Sequence, residues 1–377
     1  MIYPDYDRSI LSTTSSILAY YGVNSLYPTL PELDAALSTK PKHVALIITD
    51  GAGVRPLEGA LPADSYMRSH VAATVTSIFP STTTAATSSY YNGQSAYEHG
   101  WLGWQLYFKE YATDATTFMR NTFYTGKPID GPQPAPALMP FETVFEKIKA
   151  FQPDIITRSQ YAFDTYSDHG ADVKYRVHSF SDICDNLVRI SRTPDPSFTM
   201  SYWGQPDTAM HEKGVGSDDA IRQFKAIDNE LANLSRRASD MLIIVTADHG
   251  LINSRPIYLN DYPDIMECLV MPPMMETRAP AFYVKAHKRS QFEHLFKKHF
   301  GDKFLLMSRE DVYRTGIFGR GRRNPKFDDL IGDYIACAIA DRNLEFKIPT
   351  SDGSSLIGMH AGLTENEMLV PVIIDRT

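Results

Sequence analysis

The chain alternates between two kinds of apolar pattern. His43-Val44-Ala45-Leu46-Ile47-Ile48-Thr49 and Met241 to Thr246 are unbroken runs of aliphatic and β-branched residues. Such runs read as strands buried on both faces, as in a parallel sheet. Shorter strands are predicted over Val75–Phe79, Ile155–Thr157, Phe198–Trp203 and Leu369–Ile374. Between them, Phe141, Val144, Phe145 and Ile148 recur at helical spacing, as do Ile221, Phe224, Ile227, Leu231 and Leu234 within 217–237. Further helices are expected at Leu33–Leu37, at Asp182–Ile190, and over Thr84–Tyr90, closed by Asn92-Gly93. Strands and helices in alternation, joined by right-handed crossovers, build a three-layer α/β/α sandwich around a mainly parallel sheet.

Two regions depart from this rhythm. Residues 126–140 carry five prolines and read as a surface connection. Residues 254–345 are less regular, with a strand over Ala281–Val284, a helix over Gln291–Phe300 and a Gly/Arg loop at 316–323. We expect one catalytic domain spanning 1–377, with 254–345 as an accessory lobe inserted in it.

Composition narrows the function. A net charge of −8 argues against a partner that is a nucleic-acid polymer or an acidic membrane. The basic run Arg320, Arg322, Arg323 and Lys326 reads as a solvated loop. Three distant cysteines, Cys184, Cys268 and Cys337, form neither a disulfide framework nor a zinc knuckle, and read as buried free thiols. No signal peptide is visible, and no apolar run approaches the ~20 residues of a membrane span. These features place the expected protein in the reducing cytoplasm.

The chemistry gathers where apolar runs end. Asp50 follows the first long strand, Asp207 and His211 follow Trp203-Gly204, and Asp248-His249 follow Thr246, while His360 stands late in the chain. Open α/β sheets place their ligands at such carboxyl edges. An Asp at i and a His at i+4 face the same way on a helix. Three Asp and three His suit two divalent cations of mixed carboxylate and imidazole ligation, zinc or a similar ion. A cation pair of this kind clamps the attacking and leaving oxygens of a phosphoryl transfer. Ser81-Thr82-Thr83-Thr84 then offers a nucleophile, since coordination brings a threonine alkoxide within reach near neutral pH. The residues alone leave the choice among the threonines open.

Taken in order, Asp50-Gly51, Phe79-Pro80-Ser81-Thr82-Thr83, Gly93, His99-Gly100, Pro206-Asp207-x-x-x-His211, Thr246-Ala247-Asp248-His249-Gly250 and His360-Ala361-Gly362 resemble the alkaline phosphatase superfamily. Within it, the type I phosphodiesterase/nucleotide pyrophosphatase branch is the nearest match. The resemblance implies Thr83 as nucleophile, from its register with Gly93 and His99-Gly100. It implies one metal held by Asp50, Thr83, Asp248 and His249, and a second by Asp207, His211 and His360. It implies attack on phosphorus, a phospho-enzyme intermediate, and a small phosphate ester or nucleotide as substrate. Where the branch carries an asparagine that binds a phosphoryl oxygen, this chain has Trp104, a substrate-binding position with one N–H donor and much apolar area. Hydrolysis of phosphomonoesters, phosphonates or other esters is the alternative within the superfamily, and a ligand-binding descendant without catalysis is the alternative outside it.

Overall fold

The computed structural model describes residues 1–162, 168–347 and 356–377. Its central sheet has seven strands: β1 (His43–Thr49), β2 (Val71–Thr76), β3 (Ile156–Tyr161), β4 (Val173–Arg176), β5 (Ser197–Trp203), β6 (Met241–Thr246) and β7 (Leu369–Arg376). They lie in the order β2-β7-β6-β1-β5-β3-β4. All run parallel except β7, which pairs antiparallel with β2 and β6. β1 sits at the centre with every residue buried, as its unbroken apolar run predicts.

Helices fall into two groups that pack among themselves. Ile10–Tyr20, Pro31–Leu37, Thr83–Asn92 and Val144–Phe151 form one; Val54–Ala60, Phe180–Ile190, Asp207–Lys213 and Asp218–Arg237 belong to the other. The fold is therefore the expected mainly parallel α/β/α arrangement. Among the described residues no helix is long and apolar enough to cross a membrane.

The strand expected at Val75–Phe79 forms earlier, over Val71–Thr76. As the edge strand of the sheet it leaves Val71, Ala72 and Thr74 exposed, so its inward signal is confined to Ala73 and Val75. Ile78 and Phe79 are fully buried, but in the loop that leads to the hydroxyl run.

A second, six-stranded sheet packs beside the first, in the order Phe304–Ser308, Tyr334–Ala338, Ala279–Phe282, Met274–Glu276, Gln105–Phe108, Thr113–Thr116. Four of its strands lie within 254–345 and two come from 105–116. Phe292, Phe296 and Phe300 of the helix Arg289–Phe300 pack on Phe282 and Phe304 to give this sheet a core of its own. The Gly/Arg loop lies on the surface, where Arg320 pairs with Asp7 and Arg323 with Asp328. All three cysteines are buried and free.

Candidate active site

The register of the parallel strands decides what meets at their carboxyl edge. Thr49 of β1 lies opposite Trp203 of β5, and Ile48 lies opposite Thr246 of β6. The three strands therefore end level, and their following residues converge. The backbone joins them: the Asp50 N–H donates to the Trp203 carbonyl (2.9 Å), the Asp207 N–H to the Asp50 carbonyl (3.1 Å), and the Gly51 N–H to Asp248 Oδ1 (3.2 Å). Gly51 is required here. It holds φ +73°, and a Cβ would stand 3.0 Å from the Asp207 Cβ.

The hydroxyl run enters from the side. Thr82 is the N-cap of the helix Thr83–Asn92, which Gly93 closes at φ +72°. The four hydroxyls take different surroundings. Ser81 donates to the Gly362 carbonyl (3.0 Å) and Thr82 to Glu276 Oε1 (2.7 Å), while Thr84 Oγ1 is buried with no partner among the described residues. Thr83 Oγ1 lies 3.4 Å from Asp50 Oδ2 and 3.2 Å from His249 Nε2.

Around Thr83 are buried acids and imidazoles whose proton inventory does not close within the protein. The His211 Nδ1–H donates to the Gly358 carbonyl (2.6 Å), which leaves the Nε2 lone pair facing Asp207 Oδ2 at 3.2 Å. His249 repeats this. Its Nδ1 is 3.2 Å from the Gly250 carbonyl, and its Nε2 is 3.5 Å from Asp50 Oδ1 and 3.4 Å from Asp248 Oδ2. Lone pairs facing carboxylates repel unless something positive lies between them. His360 stacks on His249 with centroids 3.9 Å apart and stands 5.1 Å from His211.

Asp50 Oδ1, Asp207 Oδ1, Asp248 Oδ2 and His360 Nδ1 are buried with no hydrogen-bond partner among the described residues. Two ligand groups lie within 4.8 Å atom to atom: Asp50, Asp248 and His249; and Asp207, His249 and His360. Orphaned buried acceptors of this type fit divalent cations.

The electrostatics agree. Burial, together with the neighbouring Asp248, holds the Asp50 carboxyl well above its ordinary range. Burial, together with Asp50, does the same to Asp207. Burial raises Asp248 to about 6 and lowers His249 to about 3, and it keeps His360 well below its usual value. His249 and His360 are thus neutral, the form that ligates metals.

A cavity of about 440 Å³ opens over these residues, a size suited to a small ligand. Asp50, Thr83, Asp207, His211 and His360 form its floor. Trp104 stands on its wall, with its ring against Phe118 and its backbone N–H donating to Glu276 Oε1 (2.7 Å).

The model of the type I phosphodiesterase/nucleotide pyrophosphatase family matches residues 44–333. The chain belongs to this family. Its members are part of the alkaline phosphatase superfamily and hydrolyse phosphoric ester bonds, so the protein is a hydrolase of that class. No curated protein matches it by sequence. Solved structures match its fold. Murine ectonucleotide pyrophosphatase/phosphodiesterase 5, in an inactive threonine-to-alanine form with AMP, aligns at TM-score 0.64 and 16% identity over 87% of each chain. The human protein of the same name aligns at 0.66 and 17%, over 88% of this chain and 87% of its own. Phosphonoacetate hydrolase of Sinorhizobium meliloti, with phosphonoformate, aligns at 0.63 and 18%, over 89% and 90%.

In this family member two residues at the site lie outside the motifs. Tyr202 is the penultimate residue of β5, and its hydroxyl donates to Asp50 Oδ2, fixing that carboxylate. Glu276 ends a three-residue strand of the second sheet, 194 positions from Thr82. Burial pushes its carboxyl up to about 7. Tyr202 carried a faint signal as one of two adjacent aromatics before Gly204. Glu276 carried none, since a single acid after two methionines has no periodicity to mark it.

Proposed function

We propose that this enzyme cleaves phosphodiesters or nucleotide pyrophosphate bonds through Thr83 with the help of two divalent cations, zinc being the expected species. The observation that carries the reading is the Thr83 hydroxyl lying among buried carboxylate and imidazole atoms that lack hydrogen-bond partners among the described residues. Asp50, Thr83, Asp248 and His249 are assigned to one cation, and Asp207, His211 and His360 to the other. Bound there, the cations supply Lewis acidity at the nucleophile and at the phosphoryl oxygens.

The chain's own residues do the rest. Thr83 Oγ1 forms a bond to phosphorus, the bond from phosphorus to the departing alcohol breaks, and the hydroxyl proton leaves with that alcohol. Water then cleaves the phosphothreonine and restores the hydroxyl. Tyr202 orients Asp50, and the Gly358 carbonyl fixes the tautomer of His211. First-turn amides of the ten-residue helix Thr83–Asn92, which helical carbonyls cannot satisfy, are available to donate to a phosphoryl group held at Thr83. Trp104 supplies an apolar wall for the ester group. The murine relative, inactive as a threonine-to-alanine form and solved with AMP, supports both the nucleophile and the substrate class. Three buried free thiols support a reducing compartment, the cytoplasm.

The test is a metal analysis with parallel assays of bis-p-nitrophenyl phosphate, p-nitrophenyl phosphate and a p-nitrophenyl nucleotide ester. Close to two transition ions per chain and a preference for the diesters are expected. Protein that remains inert after zinc loading overturns the reading; a preference for the monoester moves it to the phosphomonoesterase alternative.

A further inference from the structure

We propose that the cavity selects phosphodiesters whose alcohol carries a positive charge, a quaternary or protonated amine, and that Glu276 sets this selectivity. The inference rests on the phosphodiesterase reading above and adds the class of ester group.

Glu276 brings to the cavity wall a carboxylate that belongs to neither proposed ligand set. Its Oε1 accepts from both Thr82 Oγ1 and the Trp104 N–H, each at 2.7 Å. Two donors on one oxygen hold the group in place, one residue from the proposed nucleophile. Oε2 has no hydrogen bond, and the group has no ion-pair partner, among the described residues. No lysine or arginine lines the cavity among those residues. The stretches 163–167 and 348–355 contain none either, by sequence. No basic side chain therefore meets the negative charge of Glu276 at the wall, which a cationic ester group can do.

The remaining walls suit the same occupant. Trp104, Phe123, Tyr202, Met275 and Met359 all line the cavity. Aromatic faces attract cations, and most strongly those, such as quaternary ammonium, that shed water easily. An ester group with a carboxylate of its own meets Glu276 with no lysine or arginine beside it, so esters bearing carboxylates are disfavoured here. A monoanionic phosphodiester with a cationic alcohol is neutral overall and places each charge against its complement.

The experiment compares p-nitrophenyl phosphorylcholine with its uncharged carbon isostere, the p-nitrophenyl dimethylbutyl phosphate, at about pH 8.5, above the Glu276 value of about 7. The two differ in charge and not in shape. The expected result is a kcat/KM at least about tenfold higher for the charged ester, with the ratio falling toward one in Glu276→Gln. A ratio near one in the unaltered enzyme overturns the inference, as does a ratio retained in Glu276→Gln. Binding gives a readout without turnover: zinc-loaded Thr83→Ala protein, titrated calorimetrically, should bind phosphorylcholine at least about tenfold more tightly than dimethylbutyl phosphate. Equal affinities overturn the inference even if Glu276→Gln fails to fold. If both esters and bis-p-nitrophenyl phosphate are inert, the phosphodiesterase reading itself falls and takes the inference with it. Turnover of both esters at equal rates removes the inference alone.

Discussion

Two buried clusters of charge lie close together in this protein, and they are built on opposite principles. Arg278 and Glu367 are both fully buried and fully engaged. The guanidinium donates through Nε to Oε1 (2.6 Å) and through Nη2 to Oε2 (2.7 Å), and its Nη1 reaches the carbonyls of Ala340 and Arg342. Glu367 also accepts from the Gly362 N–H and the Thr364 hydroxyl. The cluster around Thr83 has the reverse character: like charges gathered together, lone pairs facing acceptors, and four buried atoms without partners among the described residues. A buried charge that is satisfied is scaffold, and one left unsatisfied awaits a ligand. The first cluster serves the second. Glu367 holds Gly362, two residues from His360, and its carbonyl accepts from Gly250, the residue after His249.

Changes that break this contrast should rank by what they remove. The largest effect is expected for Thr83→Ala, a loss of at least about a thousandfold in kcat with bound metal nearly unchanged, measured by steady-state kinetics beside metal analysis. Thr84→Ala should remain active, because that hydroxyl has no partner among the described residues to lose. The register of the nucleophile is wrong if their order reverses.

Next comes Arg278→Met, which strands Glu367 as an unpaired buried charge. A cost of about 3–5 kcal/mol in urea unfolding is expected, with weaker metal retention because the loops of His249 and His360 loosen. An unfolding midpoint equal to that of the parent would show that the pair is not the scaffold described here.

Metal removal should expose the other cluster. In the metal-free protein the carboxyls of Asp50, Asp207 and Asp248 sit above their unfolded values, Asp248 at about 6. Buried neutral His249 and His360 bind fewer protons than they do in the unfolded chain below about pH 6.5, while through the three carboxyls the folded state binds more. This stability is present at low pH and lost as pH rises through the folded value. Melting temperature of the metal-free protein should therefore fall above about pH 6.5, where the unfolded imidazoles are already neutral and only the raised carboxyls still titrate, and zinc should abolish the slope. A metal-free protein that gains stability over that range would contradict the description of the cluster.

The smallest effect belongs to exposed charge. Arg320→Ala removes a pair with Asp7 on the surface and should change stability by no more than about 0.5 kcal/mol, by the same urea titration.

How much of this was legible beforehand follows the same division. Asp50, Asp207, Asp248 and His249 could be read because each ends or follows an apolar run, and polarity at the end of a buried strand stands out locally. The alternating edge strand Val71–Thr76 and the short strands Gln105–Phe108 and Thr113–Thr116 were harder to read. Half-exposed or four-residue segments carry too little pattern to distinguish them from loops. Glu276 and the Arg278–Glu367 pair were invisible, because their meaning lies in partners far away along the chain.

By itself, then, the sequence determined the layered α/β architecture, the residue types at the strand ends and the family they resemble, since these depend on local periodicity and on motifs a few residues long. Tertiary structure decided which of four neighbouring hydroxyls faces Asp50 and His249, that Trp104 stands on the cavity wall, and that an acid from the second sheet completes that wall. Those outcomes turn on strand register and on packing between two sheets, and both are set by contacts between residues tens to hundreds of positions apart.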